Sequence, residues 1–375
     1  MYETIMVTIY GIASLIKNRV CAIITLLIGI VYLIINNYFE IDILKNIDIN
    51  VLIILLCTYN LSRYLIKTNI LNYLINLIVE RVTTYKKLIF ILCIFTFIIS
   101  GFVNNYILIS FMLPYIEEVI KKNNIKHKLL TESIIISSTL GSMSTLIGTS
   151  ENIIISSYLK MNFIDFLFYD SRIGINIIFL ILFFIYLFII NLLIKDEEFM
   201  GNYEEIEIKN KFNIYLYIIM VILLIIIPLF KIKYLSSVCI FICLLISIYK
   251  NKSYEKMDFL NIVFYGLMFI YVGLFKEMKF ISLVPIYTYS NVLIYTIFFI
   301  LSIILSLIFN PVFVFYFITL FIPYITLNTN INEMPLIYIV YFGLLMGILK
   351  NKKIDYKIII FMLLIAYLLV AFLYF

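Results

Sequence analysis

The chain has 375 residues, 64% of them hydrophobic and 13% charged, with a mean hydropathy of +1.12. This excludes a soluble globular domain, whose apolar share sits near half, and predicts an all-α polytopic membrane protein. A net charge of +6 fits lysine and arginine kept in loops beside a membrane and is too diffuse for a nucleic-acid partner.

In chain order, Thr4 to Ile16 is apolar but short for a span and is read as interfacial or only partly inserted. It lacks a basic n-region and a cleavage site, so it is read as mature sequence. Val20 to Ile35 and Val51 to Ile66 are better spans, and Ile70 to Val79 reads as an amphipathic interfacial helix. Arg63, in the second half of its segment, is read as snorkelling from near a helix end rather than lining a pathway.

Leu88 to Ile116 is interrupted by Ser100, Gly101, Asn104 and Asn105. Two adjacent asparagines at bilayer depth need partners, and a hairpin turning there supplies backbone for them, with Pro114 in the descending arm. His127 follows in a charged loop and is read as part of it. From Ser133 to Ser157 the sequence SIIISSTLGSMSTLIGTSENIIISS puts hydroxyls, two glycines, Glu151 and Asn152 between apolar flanks. A helix broken here exposes carbonyls, N–H groups and helix ends to a small ion.

Ile173 to Ile194 spans again, and Lys195 to Lys211, KDEEFMGNYEEIEIKNK, is the natural linker between a first half, 1–194, and a second, 212–375. Seven apolar segments follow, for about ten or eleven membrane segments in all. The halves echo each other. SGFVNNYILISFMLPYI (Ser100 to Ile116) lies over SLIFNPVFVFYFITLFIPYI (Ser306 to Ile325), so that Asn104 meets Asn310. The five cysteines all sit in apolar segments and read as packing residues, and with one histidine in the chain no metal-binding set is expected. No G-x-x-x-x-G-K-[ST] run occurs, which argues against an ATP-driven pump in its own right.

The run STLGSMSTLIGTSENIII (Ser138 to Ile155) resembles the signature of the ion transporter superfamily, which includes arsenite permeases, sodium/proton antiporters and divalent anion:sodium symporters. The upstream SGFVNNYILISFMLPYI resembles the same family's hairpin, and the likeness runs from about Asp48 to Phe321. It implies an inverted repeat with two re-entrant hairpins and two unwound helices, the substrate lying between their tips. By position, Asn104 and Asn105 would form the first tip. Ser138, Thr139, Gly141, Thr145, Gly148 and Asn152 would form the facing unwound segment, and Asn310 the second tip.

The chain also departs from that pattern. Asn104 and Asn310 stand where the arsenite and antiporter branches carry acids, and Ser150 and Glu151 replace the prolines before Asn152. Glu151 is then the acidic residue of the site, either a cation or proton ligand or a residue at the cavity edge. After Gly343 and Gly347 no second Thr-Leu-Ile-Gly run follows, so the second half is degenerate. The function implied is secondary active transport of a small anion or oxyanion, arsenite-like, by alternating access, rather than an enzyme. The alternatives are a Na⁺/H⁺ antiporter and a non-transporting subunit or receptor on the same scaffold. No cofactor is expected beyond Na⁺ or H⁺ as coupling ion. The expected partners are the anion and the lipid bilayer, with a homodimer by resemblance, and the expected location is the plasma membrane of a prokaryote.

Overall fold

The computed structural model describes residues 2–16, 18–36, 44–45, 47–122, 127–169, 172–195, 197–199, 206–230, 234–252, 259–276, 290–319, 321–329, 331–349 and 356–374. The middle of the linker and the charged turn at 350–355 lie outside them, as do residues 123–126 before His127. His127 itself opens a helix.

Seventeen α-helices run through these residues: α1 (Tyr2–Leu15), α2 (Arg19–Ile35), α3 (Ile49–Ile66), α4 (Ile70–Arg81), α5 (Tyr85–Ser100), α6 (Asn105–Lys122), α7 (His127–Met143), α8 (Ser150–Leu159), α9 (Ile175–Leu193), α10 (Lys211–Ile226), α11 (Leu235–Asn251), α12 (Phe259–Lys276), α13 (Asn291–Ile308), α14 (Pro311–Thr319), α15 (Ile322–Asn328), α16 (Glu333–Leu349) and α17 (Tyr356–Tyr374). The described sheet is a two-residue antiparallel pair, Phe168–Tyr169 with Arg172–Ile173. Among the described residues four helical spans are long and apolar enough to cross a membrane: α3, α9, α13 and α10 with the 3-10 turn after it. Shorter apolar helices accompany them. The chain is an all-α polytopic membrane protein.

Solvation explains the sidedness of these helices. Along α9, Phe184, Phe188 and Leu192 recur at fourfold spacing and stand exposed, while Phe179, Leu182, Phe183, Tyr186 and Ile190 are buried. An apolar residue loses nothing by facing lipid, so the outward stripe is as oily as the core. The polar residues go inward instead. Ser137, Ser138, Thr139, Ser142, Thr149 and Asn152 are all buried.

Packing divides the chain into two units. The first holds residues 1–52, 258–351 and 356–375; the second holds 53–257 with 352–355. This division follows contact and cuts across the halves read from the repeat, whose boundary is a matter of sequence correspondence.

In the first unit the closest helix pair is α13 with α16. A Cβ on Gly347 would lie 2.5 Å from the Ser306 carbonyl oxygen, and the Ser306 hydroxyl donates to the Gly343 carbonyl at 3.0 Å. The backbones meet because both glycines leave room. Tyr271 donates to the Leu26 carbonyl at 2.9 Å in the space left by Gly29.

In the second unit α5 packs along α7, with α6 and α9 also against α7. The two arms of the 101–104 turn therefore each pack on α7 more than along one another. α7 allows this because its inward face is small: Ser133, Ser137 and Gly141 recur at fourfold spacing.

Candidate functional site

The site grows from two interruptions in the second unit. The first is the turn between α5 and α6. Ser100, at the end of α5, folds its hydroxyl back onto the Phe97 carbonyl at 3.0 Å, and Asn104 restarts the chain as a helix by accepting from the Tyr106 N–H at 3.1 Å. That is N-cap chemistry, with a side-chain oxygen taking one of the first N–H groups, which have no intrahelical partner.

The second interruption lies between α7 and α8. Helix α7 ends in Gly-Ser-Met with Ser144 next, where glycine is a weak helix former and the serine hydroxyls compete for backbone. Ser142 donates to the Thr139 carbonyl at 2.9 Å and Ser144 to that of Gly141 at 2.7 Å. The chain then folds back so tightly that a Cβ on Gly148 would lie 2.3 Å from the Ser142 carbonyl oxygen. Helix α8 restarts at Ser150, capped by the Thr149 hydroxyl, which accepts from the Asn152 N–H at 3.1 Å.

Four contacts join the two interruptions. The Asn105 N–H donates to the Gly148 carbonyl at 3.0 Å, and the Thr145 hydroxyl donates to the Gly101 carbonyl. Ser138 lies 2.6 Å from the Asn105 side-chain oxygen. Gly141 touches α5 so closely that a Cβ there would be 2.1 Å from the Phe97 carbonyl oxygen. The turn is held from a third side by Tyr217 of α10, which donates to the Phe102 carbonyl at 2.6 Å and meets the Ser62 hydroxyl at 3.1 Å.

Asn104, Asn105, Ser138, Gly141, Thr145, Gly148 and Asn152 thus come together. Thr139 is the exception on this segment, its hydroxyl turned back to the Ile135 carbonyl at 2.8 Å. Asn152 is wholly buried, and its amide nitrogen lies within reach of three carbonyls, those of Ser142 (3.0 Å), Met143 (3.2 Å) and Thr145 (2.5 Å). Carbonyls at a helix C-terminus have no intrahelical partner, so this side chain closes the end of α7. Asn176 does the same for the Ser144 carbonyl at 2.9 Å.

Asn105 is also wholly buried, but its amide nitrogen has no hydrogen-bond partner among the described residues. Turning the amide over would give the nitrogen Ser138 as a partner and leave the oxygen without that contact. Glu151 is 4% exposed in the first turn of α8, where the helix dipole favours a negative charge, and the Tyr106 hydroxyl donates to it at 3.5 Å. Asn310 belongs to the first unit and there repeats the role of Asn104, capping α14 by accepting from the Val312 N–H at 2.9 Å.

Arg63 sits in the last turn of α3. It is half-buried, donates to the Tyr59 hydroxyl at 3.0 Å and lies 4.7 Å from the centre of that ring. Tyr59, Arg63 and Lys67 recur at fourfold spacing, a signal present in the sequence. Tyr217 carried no such signal, because its partners are 115 and 155 residues away along the chain.

With this geometry in place, the sequence matches the model of the citrate transporter family over residues 12–343. The chain belongs to the citrate transporter family. It is therefore a member of the ion transporter superfamily, and the family's members are transporters rather than enzymes. The match takes in both interruptions and the Asn310 turn. No curated protein matches the sequence. Among the described residues no group of three His, Cys, Asp or Glu side chains could hold a metal ion. The polar atoms gathered here are hydroxyls, amides and backbone, with the Glu151 carboxylate beside them.

Proposed function

We propose that the chain is a secondary active transporter of a small carboxylate anion, citrate or a close chemical relative. It would work by alternating access and be driven by a gradient of Na⁺ or H⁺ across a cell membrane. The observation that carries this reading is the unpartnered Asn105 amide, buried where the 101–104 turn meets the break in α7. A buried polar group without a partner costs about 1–3 kcal/mol, and a bound carboxylate oxygen or a hydrated cation would offset that cost. The broken α7 adds helix ends and backbone dipoles suited to a small ion.

Family membership favours a carboxylate over the arsenite-like oxyanion that the sequence signature alone suggests. It also favours transport over the subunit or receptor alternative. With Asn104 and Asn310 acting as helix caps, proton exchange through acids at the turn is disfavoured. Glu151, next to Tyr106, remains the acid nearest the turn.

The test is uptake of labelled citrate by proteoliposomes bearing the parent chain or Asn105→Ala. The reading expects citrate flux in the parent and its loss in the variant, with the variant's melting temperature unchanged or raised. Undiminished flux in Asn105→Ala would remove that amide from the site.

A further inference from the structure

A second polar feature of this unit has no part in the site above. Between the C-terminal half of α3 and the first turns of α6 lies a cavity of about 580 Å³, within the range of about 300–1,000 Å³ usual for small-ligand sites. Its floor is apolar, made by the buried Ile66 and Ile107, and its walls are two polar stripes. Tyr59 and Arg63 on α3, and Lys67 just past its end, stand on one side at fourfold spacing. Tyr106 and Ser110 stand opposite, also four apart, on α6. Positions four apart fall on one face of a helix, with Cβ atoms about 5–6 Å from each other.

We propose that this cleft is a binding site for a di- or tricarboxylate, in which Arg63 and Lys67 each engage one carboxylate. The proposal rests on the transport of a carboxylate anion argued above and adds a second place on the protein where that anion is held. The two cations divide the work by their chemistry. The Arg63 guanidinium is a planar fork suited to bidentate contact with a carboxylate, and Tyr59 fixes it by a 3.0 Å hydrogen bond and by its ring. Lys67, exposed at the rim, carries a point charge on a long stem suited to the next carboxylate on a short carbon chain. The far wall adds polar surface: the Ser110 hydroxyl donates to the Ile107 carbonyl at 2.9 Å and the Tyr106 hydroxyl to Glu151.

Position supports the same ligand. Tyr106 directly follows Asn105 in the chain and donates to Glu151 at 3.5 Å, so an anion in the cleft lies beside the turn of the transport site. A monocarboxylate would meet only one of the two cations, which makes the cleft a reader of charge number.

The experiment measures citrate and acetate binding directly, by calorimetry on the full chain in nanodiscs, for the parent, Arg63→Gln, Arg63→Lys and Lys67→Gln. The proposal expects Kd for citrate to rise about tenfold in each Gln variant, the effect of one lost charge-assisted contact, with Arg63→Lys between parent and Gln. It also expects acetate to bind far more weakly than citrate in the parent. Lys67 is exposed, so its variant should fold even if Arg63→Gln does not.

Unchanged citrate affinity in Lys67→Gln overturns the proposal. So does an effect of the substitutions seen only when anionic lipid is added to neutral discs, which would make the cleft a lipid-headgroup site. If the parent binds citrate through these residues but moves none in proteoliposomes, the transport reading fails and the cleft stands. If it moves citrate with an affinity indifferent to both residues, the cleft fails and transport stands.

Discussion

Asn105 and Asn152 are both buried amides at the junction of the turn and the break, yet their hydrogen bonding gives them opposite roles. The Asn152 nitrogen is taken by carbonyls at the end of α7, whereas the Asn105 nitrogen is unpartnered. Asn152→Ala should therefore destabilise the protein by about 1–3 kcal/mol, since it leaves buried carbonyls unpaired. A lowered melting temperature in detergent would show this, and transport should fall with it. An unshifted melt would contradict the role given to Asn152. Tyr217→Phe should cost about 1 kcal/mol by stripping the Phe102 carbonyl of its donor. The expected sign is a lower midpoint in the same melt, with Ser62 still bonded to the Thr58 carbonyl at 2.7 Å.

At the scale of elements, the break in α7 exists because glycine permits two close approaches. Alanine at Gly141 would drive a methyl into the Phe97 carbonyl, and alanine at Gly148 into the Ser142 backbone. Overpacking of this kind typically costs about 1–3 kcal/mol, so both variants should express poorly or melt early. Gly101→Ala is the control, because its nearest neighbours would lie at 3.2 and 3.3 Å and need to give only slightly. Equal tolerance at all three positions would contradict the packing described here.

Much of this was legible in the sequence. Hydroxyls and glycines between apolar flanks mark a broken helix, and paired asparagines after Ser-Gly mark a turn. What could not be read was which groups satisfy which. Asn152 and Thr145 are adjacent to their partners only once α7 has folded back, and Tyr217 reaches the turn from another helix. The contacts of Arg63 were not legible either. Its fourfold spacing with Tyr59 and Lys67 gains meaning only with α6 opposite.

At the scale of the molecule, one small arrangement recurs in the two units. In each, a serine lies in the last turn of a helix, an asparagine four residues on caps the next helix, and the serine packs against glycine on a later helix. Ser100, Asn104 and Gly141 make it in one unit; Ser306, Asn310 and the Gly343–Gly347 pair make it in the other. The units differ at their asparagines: Asn105 keeps a buried amide nitrogen without a partner among the described residues, while Asn310 caps α14. The asymmetry predicts that Asn105→Ala harms transport more than Asn310→Ala, whose residue serves as a cap. Comparing the initial uptake rates of the two variants checks this, and equal losses would argue for two equivalent sites.

The most direct test of the whole account is labelled-citrate uptake into proteoliposomes of the parent chain, with Na⁺ and pH gradients imposed separately and arsenite as the rival substrate. The account predicts citrate uptake above empty liposomes that follows one of the gradients and is inhibited by other di- and tricarboxylates. Arsenite moving without citrate would contradict the substrate, and no movement of either by folded protein would contradict transport itself.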